Sequence, residues 1–105
     1  MTIPQNLPLH FKWALAAAKQ NHVGGLAYTA ECYQKGWGVE PNDETAFEWW
    51  MKAAEQDDVD AQMYLGEYFE HGLGRDIDLI QALFWYRKAA AQEDQEAMVA
   101  VERLS

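Results

Sequence analysis

Apolar residues recur along this chain at helical spacing. Ala61, Leu65, Tyr68 and Phe69 fall at i, i+4, i+7 and i+8, one apolar stripe of a helix. Gly72-Leu73-Gly74 ends that stripe, because paired glycines supply the backbone freedom a helix exit needs. Asp78, with Gln81 three residues later, reads as an N-cap and its return partner. Leu79, Ala82, Leu83 and Tyr86 then carry a second apolar face into Lys88-Ala89-Ala90-Ala91. The preceding stretch does the same. A helix through about 28–35 runs into a Gly36-Trp37-Gly38 turn, and Pro41-Asn42 leads to a helix over about 43–56. A helix over about 8–20 opens the pattern and one over about 95–104 closes it. The expectation is six helices and no strand.

The two stretches are copies of one unit. A shift of 36 residues leaves 69 pairs to compare, and 19 are identical, where this composition gives about five by chance. Trp13, Trp49 and Trp85 share the spacing, as do Ala17/Ala53/Ala89, Ala18/Ala54/Ala90 and Gln20/Gln56/Gln92. Gly36/Gly72, Gly38/Gly74, Ala46/Ala82, Tyr28/Tyr64 and Glu31/Glu67 follow with no insertion.

This pattern resembles the Sel-one-like repeat, a 36-residue cousin of the tetratricopeptide repeat. The matching residues are Ala61-x3-Leu65-Gly66-x2-Phe69-x2-Gly72-x-Gly74, then Ala82-x2-Trp85-Tyr86-x-Lys88-Ala89-Ala90. The first copy matches at Tyr33, Gly36, Gly38-Val39, Ala46, Trp49-Trp50 and Lys52-Ala53-Ala54. It departs at Ala30, where the pattern prefers glycine, and at Thr29, where it prefers leucine. The resemblance implies an all-α fold, a short right-handed α-solenoid of antiparallel helix pairs. The organisation expected is a single domain over 1–105, with a half repeat at 8–22, repeats at 25–58 and 61–94, and a half repeat at 95–105. The resemblance further implies a scaffold or adaptor role without chemistry of its own.

The repeated residues have a packing explanation. Alanines 53, 54, 89 and 90 let helices approach to roughly 8–10 Å, and the indoles of Trp49 and Trp85 fill the remaining space. Gly36-Trp37-Gly38 lacks the later glycine, the preceding strand and the Lys-Ser/Thr of a phosphate-binding loop. None of His10, His22 and His71 stands in a zinc-protease spacing or repeats with the period. His71 falls at a helix C-terminus, where a positive ring complements the dipole. Cys32 aligns with Tyr68 beside the core face, as a small buried apolar residue would. The only serine is Ser105, and no carboxylate pair stands apart as an acid/base couple. No enzyme, cofactor or metal site is expected.

Charge narrows the partner. Lys and Arg number 8 against 17 Asp and Glu, a net charge of −9 that argues against nucleic acid, since phosphate contacts need a basic surface. No run approaches the ~20 apolar residues of a membrane span, and the N-terminus lacks the basic start and apolar stretch of a secretory signal. One cysteine excludes an intrachain disulfide. A soluble cytoplasmic protein is the expectation.

Two surfaces are candidates for binding. Glu55, Asp57, Asp58 and Asp60, then Glu93, Asp94 and Glu96, crowd two equivalent turns that stacking brings to one edge. Helix capping accounts for one or two acids per turn; the rest form a solvated edge or a binding edge for a basic partner. At 100° per residue, Asp60, Tyr64, Glu67 and His71 lie together off the core face of their helix. Tyr28, Glu31 and Lys35 are their equivalents one repeat earlier, and Ala100 and Arg103 those in the last helix. The resemblance places this stripe on the concave face; bracing between repeats is the plainer role for the two tyrosines. Trp37 and Phe84 break the period, so Trp37 is a contact candidate and Phe84 a cover for a neighbouring helix. Met98 and Val99 point away from the Ala97, Val101, Leu104 stripe, an apolar end suited to a partner or to homodimerisation through the C-terminal helix.

The leading expectation is a protein-interaction module that binds another protein through its concave face and acidic edge. Its sharper form is a small acidic immunity protein that neutralises a basic toxin such as a nuclease. A homo-oligomeric structural scaffold is the alternative of a different class.

Overall fold

The computed structural model describes residues 7–105, with side chains from Leu9 onward. The segment on which the secretory-signal reading partly rests lies before Leu7, outside the described residues. Six helices follow one another: α1 (Leu7–Lys19), α2 (Val23–Lys35), α3 (Asp43–Ala54), α4 (Val59–His71), α5 (Leu79–Ala91) and α6 (Gln95–Leu104). There is no strand among the described residues. The extensive helix contacts are all between consecutive helices, the mark of a solenoid, and the molecule is elongated at 43 × 25 × 21 Å.

Local chemistry sets the helix limits. Asn42 accepts from Thr45 N–H, Asp58 from Ala61 N–H, Asp78 from Gln81 N–H and Asp94 from Ala97 N–H, satisfying orphan donors at four N-termini. The reciprocal bond expected at Asp78 is not made by Gln81. The Asp78 N–H donates instead to the Phe69 carbonyl across the turn. Helices α2 and α4 end at Gly36 and Gly72 with φ of +75° and +70°, where a side chain would be strained. The turns into α2, α4 and α6 use Asn21, Asp57 and Glu93 at φ of +62°, +67° and +68°, one per repeat.

The core runs lengthwise between the helix layers. Trp50, Tyr68, Phe69, Trp85 and Tyr86 are buried in it among alanines 46, 53, 54, 61, 82, 89 and 97. Of the residues expected to pack, Trp85, Ala53, Ala54 and Ala89 are buried, while Trp49 and Ala90 are half-buried against the cluster. Trp13 is 68% exposed, so its place in the periodic series does not make it core. In α4, a methyl group at Gly66 would lie 2.5 Å from the Tyr86 ring, which explains the preference for glycine there. Ala30, the departure from that preference, is itself fully buried.

Polar staples repeat with the same period. The Trp50 indole N–H donates to Gln34 at 3.0 Å, and the Tyr86 hydroxyl donates to Glu70 at 2.7 Å, the same pair of positions one repeat on. Gln56 donates to the Asn21 side chain at 2.6 Å, and Gln92 to the Asp57 carbonyl at 3.0 Å. The periodic glutamines therefore tie each helix-to-helix turn to the next.

Candidate functional site

The first helices of the pairs, α2 and α4, with the start of α6, border an open groove of about 650 Å³. Its floor is apolar and aromatic: Ala27 and Tyr28 from α2, Trp50 from α3, and Met63 and Tyr64 from α4. Tyr64 stacks on Trp50 with ring centroids 4.5 Å apart and planes 25° apart. One face of each ring thus braces the repeats while the assembly still lines the groove.

The rim is acidic. Glu31, Asp58, Asp60, Asp94 and Glu96 all line it, and no lining residue is basic. Asp58 and Asp94 are spoken for in part, since each caps a helix. Burial pushes the Asp60 carboxyl above its ordinary range, and the charges of Asp58, Asp94 and Glu31 push it the same way. Burial and the Glu31 charge likewise raise the Tyr64 phenol, and burial raises Tyr28. A crowded carboxylate that holds its proton more tightly is equally a place where an added cation is favoured.

The stripe and the acidic edge expected from the sequence meet in this groove, but only in part. Tyr28, Glu31, Asp60 and Tyr64 of the stripe line it, together with Asp58, Asp94 and Glu96 of the edge. Lys35 pairs with Glu31 at 2.9 Å and lies 4.7 Å from the centre of the Trp37 ring. Trp37 is half-buried, 6.4 Å from the Tyr28 ring, so it packs behind the stripe rather than lining the groove. Glu67 is half-buried beyond it, its carboxyl raised first by burial and then by Glu96. His71 is exposed at the end of α4, 3.8 Å from Glu70. Glu55, Asp57 and Glu93 are exposed on the turns and do not line the groove.

The last helix departs from the stripe. Ala100 is buried, and Arg103 is committed to Glu70 through both guanidinium ends, with Tyr86 on the same carboxylate. Arg103 and the Tyr86 hydroxyl hold the Glu70 carboxyl down to about 2. Met98 and Val99 are exposed, at 42% and 63%. Phe84 is also exposed, at 48%, and rests edge-on against Trp85 rather than covering another helix. Cys32 is fully buried, and burial lifts its thiol to about 11, which suits packing and not nucleophilic attack. Among the described residues no group of three or more His, Cys, Asp or Glu is placed to hold a metal ion.

The sequence matches the Sel1 repeat family over residues 2–22, 25–58 and 59–94. The chain belongs to the Sel1 repeat family. Sel1 repeats are generally protein-interaction modules. A Sel1 repeat protein from Oxalobacter formigenes is 34% identical, with a TM-score of 0.81 over 94% of this chain and 43% of that one. A protective antigen present in uropathogenic Escherichia coli strains, with the same repeat fold, is 26% identical at a TM-score of 0.87. That match covers 90% of this chain and 20% of the antigen. Helicobacter pylori cysteine-rich protein B, 23% identical with a TM-score of 0.80 over 86% of this chain and 68% of that one, shares the fold. This chain therefore spans less than half the length of the first two. No curated protein sequence matches it. No helix of the described residues is long and apolar enough to cross a membrane.

Proposed function

We propose that this Sel1 repeat domain binds a basic segment of a partner protein in the groove along α2 and α4. A lysine or arginine side chain laid across Tyr28 and Tyr64 would meet aromatic faces below and the Glu31, Asp60 and Glu96 carboxylates around it. The observation that carries this reading is the coincidence of an aromatic floor with five rim carboxylates and no lining base. The net charge of −9 would steer a basic partner to the groove.

The same charge supports a sharper form, an immunity protein that masks the basic surface of a toxin such as a nuclease. That form requires inhibition as well as binding.

A pull-down from the source cell, wild type beside an Asp60→Asn/Tyr64→Ala double variant, tests the common reading. A basic protein held by the wild type and lost by the variant supports it. A partner held equally by both moves the site away from the groove. Suppression of the captured protein's own activity would select the inhibitor form.

A further inference from the structure

The outer face of α5 differs from that of α3, its counterpart one repeat earlier. Ile80 is 83% exposed and Phe84 48%, where α3 carries the exposed acids Glu44 and Glu48. With half-buried Leu83 they line a shallow hollow of about 480 Å³. Scattered exposed apolar residues need no explanation, but neighbours on one helix face do.

The charges around this face are sorted by end. Arg87 and Lys88 are exposed at its C-terminal end, the Lys88 ammonium 5.6 Å from the centre of the Phe84 ring. Among the described residues neither has an ion-pair partner. Asp76 and Asp78 are exposed at the N-terminal end. Gly74 there abuts the backbone of Asp43 and Glu44, which brings two more acids to the same end. The charges are thus acidic at one end, where exposed Ile77 and Leu79 also stand, and basic at the other, with Ile80 and Phe84 between.

We propose that α5 is the contact between two copies of this chain, packed antiparallel about a two-fold axis. Such an axis makes every contact twice, so the face must complement itself when reversed. An axis beside residue 82 sets Ile80 against the second copy's Phe84, and Asp76 against its Lys88. Parallel packing would instead set like charges together. The acids at the α3 positions could not form the apolar middle. One helix face is a small interface, so the dimer is weak, with a dissociation constant on the order of 10–100 μM. No residue of α5 lines the acidic groove, so each dimer leaves two grooves free.

Sedimentation velocity of the full chain from about 1 to about 500 μM, with circular dichroism as the folding control, tests this. Wild type should pass from monomer to dimer, and Ile80→Glu, a change at an exposed site, should weaken association at least tenfold. Lys88→Asp and Asp76→Lys should each weaken it, and the two together should restore it. A monomer throughout overturns the proposal, as does growth past the dimer. Dimerisation that survives Ile80→Glu but is lost in Val99→Glu also overturns it and assigns the contact to α6. If Ile80→Glu does not fold, recovery by the charge swap decides, and failure to recover overturns the proposal.

Discussion

The Tyr86 hydroxyl donates to Glu70 across the α4–α5 interface, 16 residues apart in sequence. Tyr86 is buried, and its hydroxyl loses its protein acceptor if Glu70 is truncated. Glu70→Ala should lower stability by about 1–3 kcal/mol, the cost of leaving a buried hydroxyl unpaired. Glu70→Gln keeps an acceptor and should lose less. Urea unfolding of the two variants beside wild type checks the order.

The same carboxylate sets a pH response. Its folded-state value is about 2, below the ordinary 4.5. Its stabilisation is therefore complete above about 4.5 and is lost as pH falls toward 2. In Glu70→Gln this share of the acid loss should disappear, so wild type and variant should converge in stability between pH 4.5 and 2. Thermal melts across that range provide the measurement.

Asp60 has the opposite sign. Its folded-state value is raised by burial and by neighbouring acids, so it opposes folding at neutral pH and the opposition fades as it takes up a proton. Asp60→Asn should raise stability at pH 7 by only ~0.2–0.5 kcal/mol, because the side chain is largely solvated. The same change should weaken capture of a basic partner. Stability and binding moving in opposite directions would mark Asp60 as a residue kept for binding.

Gly66 is fixed by the approach of α5. Gly66→Ala should lower stability by about 1–3 kcal/mol, since the added methyl meets the Tyr86 ring 2.5 Å away. The variant paired with Tyr86→Leu should recover part of that loss, because the smaller side chain relieves the contact. Double-variant unfolding measures the coupling.

The helices were legible in the sequence because their signals are local: glycine pairs at exits, Asx residues at starts, apolar stripes between. The groove was half legible. Helical angles alone gather Tyr28, Glu31, Asp60 and Tyr64, since all lie on α2 and α4. Asp58, Asp94 and Glu96 read as a separate edge, because their meeting with the stripe depends on how α6 stacks beside α4. Trp50 is not legible as the groove floor, because the more regular Trp13, Trp49, Trp85 series masks it. Glu70 carries no local sign of its role, although Gln34 and Glu70 stand one period apart, each 16 residues before an aromatic donor. Arg103 follows the stripe by angle, yet the Glu70 carboxylate beside it claims its charge.

Seating of a basic partner segment in the aromatic, acid-rimmed groove would leave a residue-level signature. The most direct measurement is a nitrogen–proton correlation spectrum of the ¹⁵N-labelled chain titrated with a short arginine- and lysine-rich peptide at low and high salt. Groove binding should give shifts confined to Tyr28, Glu31, Asp60, Tyr64, Glu96 and the Trp50 indole N–H, weakened by salt and lost in Asp60→Asn/Tyr64→Ala. Shifts spread over the exposed turn acids Glu55, Asp57 and Glu93, unaffected by that variant, would contradict it.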